Sequence, residues 1–222
     1  MVKENLKKIF DELSVGNDLG EKITLLGATK FVDVSLVNEA IAAGLRHIGE
    51  NKAQEFRDKF PFYSPVRKHF IGRLQSNKLK YVVGKADCID SVDSFALAAA
   101  ISERAQAAGI KQDIMLEVNV GEEEQKGGFL FSEVKSAYKS INALNGIKIT
   151  GLMAMLPIEK DELIAYHTRK MRELFDLFKS ENKDVEFLSV GTSGDYKITI
   201  KNGSNMIRLG TAIFGERDYG GK

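Results

Sequence analysis

Short apolar runs alternate with longer amphipathic stretches along the whole chain. The apolar runs have the length and composition of β-strands, whereas the stretches between them repeat apolar positions every three or four residues, which is typical of helices. Strands are predicted at residues 23–28, 46–48, 69–71, 88–90, 114–118, 147–152, 187–190 and 206–209. Helices are predicted at residues 34–43, 52–60, 77–83, 95–108, 133–144 and 161–179, after Asp195, and over the amphipathic segment 1–13.

This regular alternation predicts an α/β fold with a parallel sheet. Eight strands, the helices between them and one extra N-terminal helix fit a single closed (β/α)8 TIM barrel. A barrel of this kind usually needs about 250 residues, so 222 residues indicate a compact example with few insertions. An open doubly wound sheet is the alternative. No linker or low-complexity segment interrupts the pattern, and one domain over residues 1–222 is expected.

Composition narrows the range of partners. Lys and Arg number 32 against 31 Asp and Glu, which predicts no binding to nucleic acid or to an acidic membrane and favours a small-molecule partner. Cys88 is the single cysteine and cannot form an internal disulfide, so a cytoplasmic location is expected. The histidines His47, His69 and His167 are scattered without the spacing of a metal triad, and we predict no metal site.

Lys30 follows the first predicted strand, in the run ITLLGATK at residues 23–30. A lysine beside a buried strand either extends its ammonium group to solvent or stays near the core, where burial favours the neutral amine. A neutral amine attacks aldehydes, so Lys30 is a candidate for a Schiff base. A lysine that merely reaches solvent is the alternative.

Two glycine-containing turns follow the seventh and eighth predicted strands, where barrels often bind phosphate. They read GTSG at residues 191–194 and GT at residues 210–211. Glycine lets the backbone approach an anion closely and hydroxyl groups donate hydrogen bonds, so we predict a phosphate site that includes Ser193, Gly210 and Thr211. Ser193 as the N-cap of the next helix is the alternative.

Arg208 interrupts an otherwise apolar strand one position before its end. A buried guanidinium needs acceptors, which are either a neighbouring carboxylate or a ligand atom that can only accept, such as a ring nitrogen. A lysine, a phosphate site and this arginine together describe a pocket for an aromatic aldehyde that carries a phosphate. Pyridoxal 5'-phosphate fits that description.

Seven motifs give a family resemblance that extends from Lys30 to Gly215. They are ATK at 28–30, GEN..QE at 49–55, HFIGRLQSNK at 69–78, KGG at 126–128, GLMAM at 151–155, SVGTSGD at 189–195 and IRLGTAIFG at 207–215. This set resembles the YggS/PROSC family of pyridoxal-phosphate-binding homeostasis proteins. The resemblance implies a barrel like the N-terminal domain of alanine racemase, without the second, β-rich domain of that enzyme.

The resemblance also implies roles for individual residues. Lys30 would hold the cofactor as a Schiff base and Arg208 would face the pyridine nitrogen. Asn51 would lie near the ring, although Asn51 and Gln54 also have the spacing of a helix capping box. The phosphate would contact Ser193, Gly210 and Thr211.

The sequence departs from the family pattern beside these residues. Many members have a second lysine two positions after the Schiff-base lysine, and Val32 stands there in this chain. Lys52 replaces the aromatic residue or arginine that often follows GEN, while Thr192 and Gly194 differ from the residues that commonly flank the serine. With Val32 at this position, the chain lacks the second lysine that a relay of cofactor between two lysines would use.

The expected function is intracellular binding and carriage of pyridoxal phosphate, without catalytic turnover. An arginine at the ring nitrogen leaves that nitrogen unprotonated and weakens the cofactor as an electron sink. The alternatives are a racemase-like enzyme, whose second base would be Tyr196, Lys78 or a residue of a dimer mate, and a Schiff-base aldolase. Apo-enzymes that need the cofactor are the expected recipients, and the chain is expected to be a monomer or a weak dimer.

Overall fold

The computed structural model describes residues 1–216 of the chain. The strands of this part are β1 (Thr24–Ala28), β2 (His47–Glu50), β3 (Arg67–Phe70), β4 (Cys88–Val92), β5 (Gln112–Asn119), β6 (Phe129–Leu130), β7 (Ile147–Ala154), β8 (Phe187–Val190) and β9 (Met206–Leu209). Its α-helices are α1 (Val2–Leu13), α2 (Val34–Ala42), α3 (Ala53–Lys59), α4 (Leu79–Val82), α5 (Phe95–Ala107), α6 (Val134–Asn142), α7 (Asp161–Glu181), α8 (Tyr196–Lys201) and α9 (Thr211–Phe214). Short 3-10 helices occupy Phe60–Phe62 and Ser76–Lys78.

Eight of these strands close into a parallel barrel. The ring runs β1, β2, β3, β4, β5, β7, β8 and β9, and β9 pairs with β1. The pairing of β4 with β5 closes the ring, so the predicted barrel is confirmed and the open sheet is wrong. The additional strand β6 pairs with the end of β5 and was missed, because two residues are too few to show a strand pattern.

The predicted boundaries are best where glycine ends a strand. β8 and β9 match their predicted ranges and are followed by Gly191 and Gly210. β5 and β7 have eight residues each and extend beyond the predicted ranges. The predicted helix 77–83 is divided between a 3-10 turn and α4. The predicted domain runs to residue 222, and residues 217–222 lie outside the described part.

The N-terminal helix α1 is confirmed and packs against the outside of the barrel. Its buried residues Val2, Leu6, Ile9 and Leu13 recur every three or four positions and form one apolar stripe. Asn5 Nδ2 also donates a hydrogen bond to the carbonyl oxygen of Ile213, 3.0 Å away. None of the helices in residues 1–216 combines the length and apolarity that crossing a bilayer requires.

Side chains alternate between the two faces of the barrel wall, as expected for β-strands. Leu25 packs in a cluster with residues of α1 and α2, whereas the adjacent Leu26 belongs to a smaller cluster with Met115 and Met206 inside the ring. The larger cluster of the opposite half includes Phe175 of α7. The helix-facing side of the wall is therefore apolar, and the ring also encloses a small apolar cluster.

One bulge and one close contact bring β7 to its position in the wall. Ile114 pairs with Ile149 but Met115 pairs with Gly151, so Thr150 is an extra residue in β7. A Cβ atom on Gly151 would lie 2.2 Å from the carbonyl oxygen of Phe187. Only glycine allows this close approach of β7 to β8. This explains why the GLMAM motif begins with a glycine.

Candidate functional site

A cavity of about 380 Å³ opens at the carboxyl ends of the barrel strands, and we call it the mouth cavity. It is lined by Ala28, Lys30, Asn51, Ile71, Met155, Thr192, Ser193, Gly194, Arg208, Gly210 and Thr211. All six residues that the sequence indicated as cofactor ligands are in this set. Active sites of (β/α)8 barrels lie at this end, so the mouth cavity is the candidate site.

A larger surface depression of about 590 Å³ lies at the other end of the barrel, beside the first residues of β3 and β5. Two of its charged residues already pair with each other, because Arg67 Nη2 lies 2.8 Å from Asp113 Oδ2. This depression also lies at the amino ends of the strands, away from Lys30. We therefore assign the site to the mouth cavity despite its smaller volume.

The loop that carries Lys30 is anchored by the segment that follows β2. Phe31 has a φ of 59°, a left-handed conformation that is rare and strained for a bulky residue. Its N–H donates to Glu55 Oε1 at 3.1 Å, and Lys59 Nζ donates to the carbonyl oxygen of Val32 at 2.7 Å. Glu55 and Lys59 form an ion pair with each other, one turn apart on α3. This pair therefore fixes both residues that follow Lys30.

We expect Glu55→Ala to loosen the Lys30 loop without unfolding the barrel. The substitution removes the acceptor for the Phe31 N–H and frees Lys59, so the strained turn loses two supports. The amide hydrogens of Phe31 and Val32 should exchange at least about tenfold faster, which corresponds to about 1.4 kcal/mol of lost local protection. Hydrogen exchange followed by NMR measures this change.

Asp58→Ala is the matched control, because Asp58 also lies on α3 but is exposed and pairs with the neighbouring Arg57. It should leave the exchange of both loop amides unchanged. Equal exchange rates in Glu55→Ala and in the unsubstituted protein would show that Glu55 does not hold the loop.

Glu50 is a buried carboxyl group at the end of β2, next to the same loop. Its Oε1 accepts from the N–H of Asn51 at 2.8 Å, and its Oε2 lies 3.4 Å from Thr29 Oγ1 and 3.9 Å from Lys59 Nζ. Burial raises the pKa of Glu50 to about 6, and the nearby Glu55 adds to the increase. Folding therefore favours the protonated form of this group.

This raised pKa gives a pH dependence with a definite sign. Below about pH 4.5 Glu50 is protonated in both the folded and the unfolded chain, whereas between about 4.5 and 6 the folded chain alone keeps the proton. Its contribution to stability therefore falls as pH rises through this window, by at most about 2 kcal/mol. Glu50→Gln should raise the free energy of unfolding above pH 6 and leave it unchanged at pH 4.

Urea unfolding at pH 4 and at pH 7.5 tests this expectation, with the exposed Glu39→Gln as the control. If Glu50→Gln instead lowered the stability at pH 7.5, the ionised carboxylate would be the favoured form in the fold.

Arg208 is buried with 5 % of its surface exposed, and it bonds to uncharged acceptors. Nη1 donates to the carbonyl oxygen and to Oγ of Ser189 at 2.7 and 2.6 Å, and Nη2 donates to the carbonyl oxygen of Ala154 at 2.9 Å. Within residues 1–216 Arg208 has no carboxylate partner, so that alternative is wrong. Nε makes no hydrogen bond to these residues, and Arg208 lines the mouth cavity. Nη2 also lies 3.0 Å from Met155 Sδ, so one of the five N–H donors is left for a ligand.

The first of the two glycine-containing turns is closed by Asp195. Its Oδ1 accepts from the N–H of Thr192 at 2.5 Å and from Thr192 Oγ1 at 3.0 Å. α8 begins at Tyr196, one residue after Asp195, so the alternative of Ser193 as the N-cap is wrong. Ser193 Oγ lies instead 3.5 Å from Thr211 Oγ1, so the hydroxyls of both turns meet at the mouth cavity.

Asn51 also lies at the cavity, and its alternative role as a helix cap is wrong. α3 begins at Ala53 with Lys52 as its N-cap, and no side chain caps this helix. The backbone of Asn51 is closely approached by the segment that follows β3, because a Cβ atom on Gly72 would lie 2.0 Å from the carbonyl oxygen of Asn51. Gly72 of the HFIG motif therefore sets the position of Asn51.

His47 and His69 are not scattered, as the sequence suggested, but lie in contact inside the barrel. His47 Nδ1 is 3.0 Å from His69 Nε2, and His69 Nδ1 is 2.8 Å from Asp90 Oδ1. Burial, with the neighbouring His69, lowers the pKa of His47 to about 4. The sequence missed this chain of hydrogen bonds because its members belong to three strands, and only the register of β2, β3 and β4 joins them.

Cys88 joins the same buried group of polar side chains. Potential ligand atoms of His69, Cys88 and Asp90 lie within 4.8 Å of one another. Each has a protein partner, however, since His69 bonds to Asp90 and Cys88 Sγ lies 3.6 Å from Thr150 Oγ1. Burial raises the pKa of the Cys88 thiol, which disfavours the thiolate that metals bind. We interpret these residues as a structural hydrogen-bond network.

Other sequence candidates lie away from the mouth cavity. Tyr196 donates its hydroxyl hydrogen to Glu12 Oε2 of α1 at 2.9 Å, and Lys78 Nζ lies 5.9 Å from the ring centre of Tyr81. Neither residue is in the lining of the cavity. Val32, which replaces the second lysine of the family pattern, is 4 % exposed and packs in the core beside α1 and α2.

Comparison with known proteins shows which family this chain belongs to. The model of the alanine racemase N-terminal domain matches residues 25–218. The pyridoxal phosphate homeostasis protein of Aquifex aeolicus is 39% identical over 222 residues, which cover 98% of this chain and 96% of that protein. The chain belongs to the pyridoxal phosphate homeostasis protein family. The resemblance inferred from the motifs is therefore confirmed, and these relatives are named as homeostasis proteins.

Solved structures agree with this assignment. The structure of PipY from Synechococcus elongatus with pyridoxal phosphate bound has a TM-score of 0.83 and 26% identity, and the match covers 97% of this chain and all of that one. An alanine racemase from Clostridium difficile has a TM-score of 0.78 but 15% identity, and the match covers 99% of this chain and 56% of that one. The racemase similarity shows the shared barrel fold alone.

Proposed function

We propose that this chain binds pyridoxal 5'-phosphate reversibly through Lys30 and serves in the intracellular homeostasis of that cofactor. The observation that carries the proposal is the convergence of Lys30, Arg208 and the hydroxyls of Ser193 and Thr211 on one cavity. The family membership supports it, as does the pyridoxal phosphate bound in PipY. Apo-enzymes that depend on the cofactor would be the recipients, and the cytoplasm would be the location.

The residues of the mouth cavity fit this cofactor chemically. Lys30 would supply the amine that bonds to the aldehyde carbon, and Nε of Arg208 would donate to the ring nitrogen. Ser193 and Thr211 would donate to the phosphate beside the backbone of Gly210, and Asn51 would lie near the ring. When bound, the cofactor supplies an aldehyde that is exchanged between amines, and an electron sink whose strength depends on protonation of the ring nitrogen.

Two features favour carriage over turnover. A guanidinium donates hydrogen bonds and never accepts a proton, so Arg208 would keep the ring nitrogen unprotonated and restrain carbanion chemistry. A racemase also needs a second acid or base on the opposite side of the substrate. Tyr196 and Lys78, the candidates in this chain, are engaged elsewhere, and the racemase relative has a further 44% of chain outside the match.

Lys30→Ala should abolish covalent cofactor binding. The purified chain incubated with pyridoxal phosphate should show an imine absorbance band, and borohydride should then add the reduced cofactor to one peptide that contains Lys30. In Lys30→Ala the band and the mass increase should both fall below about 5% of those of the unsubstituted protein, measured by absorbance and mass spectrometry.

Lys52→Ala is the matched control, because Lys52 directly precedes α3 and is not in the lining of the mouth cavity. Its Nζ lies 4.3 Å from the ring centre of Phe31. The Lys52→Ala variant should keep the band. The same borohydride-reducible chromophore in Lys30→Ala and in the unsubstituted protein would overturn the assignment of Lys30.

The proposal of carriage without turnover is tested separately with alanine in deuterated buffer. We expect the cofactor-loaded chain to exchange the α-hydrogen of alanine no faster than the same concentration of free pyridoxal phosphate, since the candidate bases Tyr196 and Lys78 are not in the cavity lining. Proton NMR of the α-position follows the exchange. Exchange that is much faster, and that Lys30→Ala abolishes, would establish a racemase-like enzyme instead.

A further inference from the structure

A second cavity of about 240 Å³ adjoins the mouth cavity, and we call it the side cavity. It is lined by Glu117, Val118, Asn119, Lys126, Gly127 and Met155. Met155 lines both cavities, and its Sδ lies 3.0 Å from Arg208 Nη2. A group held in the side cavity would therefore lie next to the proposed cofactor site.

Glu117 is the unpaired charged group of this cavity. It lies in β5, two residues after Met115, whose side chain is in the interior cluster of the barrel. Successive inward positions of a strand are two residues apart, so Glu117 also faces inward. Its carboxylate makes no hydrogen bond or ion pair with residues 1–216, although the side chain is partly buried.

The other polar side chains of the side cavity already have partners. Asn119 Nδ2 donates to the carbonyl oxygen of Glu123 at 2.8 Å, and Asn119 Oδ1 accepts from the Glu123 N–H at 3.1 Å. Lys126 forms an ion pair with the carboxylate of Glu123 and donates to the carbonyl oxygen of Leu156 at 3.1 Å. Among the polar side chains that line this cavity, the Glu117 carboxylate is therefore the acceptor that still lacks a partner.

Three charged residues, Asp93, Arg208 and Arg73, influence the Glu117 carboxyl group, and Arg73 is exposed to solvent without forming an ion pair with it. Burial raises the pKa of this carboxyl group, Asp93 beside β4 raises it further, and Arg208 and Arg73 lower it. Arg208 is committed to Ser189 and Ala154, and the ammonium of Lys126 is neutralised by Glu123. A carboxylate that is partly buried without a partner favours a cationic ligand, because a cation restores the hydrogen bonds lost from water.

We propose that the side cavity binds the ammonium group of a primary alkyl amine, with Glu117 as its counter-ion. The alkyl part would contact Val118 and the thioether of Met155, and the volume holds several heavy atoms, since one water molecule occupies about 30 Å³. The inference rests on the proposed function, because a primary amine is the class of compound that can accept an aldehyde from Lys30. Binding itself needs no covalent step.

The test uses the full chain without cofactor and n-butylamine, which is an ammonium ion at pH 7.5. Titration followed by amide NMR should give saturable shifts at Val118, Asn119 and Gly127. Glu117→Gln should weaken the affinity about tenfold, and Glu117→Asp should retain most of it because the charge is kept. The neutral n-butanol should bind about tenfold more weakly than the amine.

Glu124→Gln is the matched control, since Glu124 is exposed on the nearby loop and the substitution removes the same charge. It should leave the affinity unchanged. Equal affinity for n-butylamine in Glu117→Gln, or equal binding of n-butanol, would overturn the proposal. An equal loss in Glu124→Gln would also overturn it, because general electrostatic attraction would then explain the binding.

A second measurement keeps this outcome distinct from that of the proposed function. Removal of the imine band of the loaded chain is followed with n-butylamine and with hydroxylamine, which is neutral at this pH. Glu117→Gln should slow removal by n-butylamine about fivefold and leave removal by hydroxylamine unchanged. Equal slowing by both reagents would contradict a role for Glu117 in amine binding. If no imine band forms, the proposed function fails while the titration without cofactor still decides on the side cavity.

Discussion

The hydrogen bonds of the Arg208 guanidinium are the constraint on which the site depends. Burying this cation inside the barrel is unfavourable unless its donors are satisfied, and the backbone of β7 and β8 satisfies those of Nη1 and Nη2. The guanidinium therefore joins three consecutive strands of the ring at their carboxyl ends. Because the plane of the group is then fixed, so is the direction in which Nε can donate.

The Lys30 side of the cavity is held by a different means. The strained backbone at Phe31 is stable only because neighbouring groups determine it from several directions, as is common at functional sites. Those groups belong to β2 and α3, which lie on the other side of β1 from β9 and Arg208. The two halves of the site are thus supported by separate parts of the barrel, and a substitution that loosens one half should leave the other in place.

The sequence predicted the fold well because each barrel strand is followed by clear punctuation or a helix pattern. Gly191 and Gly210 ended β8 and β9 where the structure ends them, and the lysine, hydroxyl and arginine candidates came together because barrel topology brings the ends of strands to one face. Local patterns were less informative about side chains. The capping explanations of Asn51 and Ser193 had correct spacing, yet α3 and α8 begin one or two residues later than those caps require.

Contacts between distant residues could not be predicted from a single sequence. Glu55 and Lys59 have the spacing of a common surface ion pair, and nothing in that spacing shows that they bind the loop after Lys30. The contact of His47 with His69 depends on strand register. Glu117 reads as an ordinary polar position of an alternating strand, and its lack of a partner emerges only from the packing around it.

The position of Cys88 has a chemical consequence for the proposed binding of an aldehyde. Thiolates add to aldehydes, so an exposed cysteine would compete with Lys30 for the same carbon atom and could also cross-link two copies of the chain. Cys88 is fully buried within the ring and its thiol is held in the protonated state. Because this single thiol is shielded, an amine such as that of Lys30 would react with the proposed aldehyde ligand without competition from a cysteine.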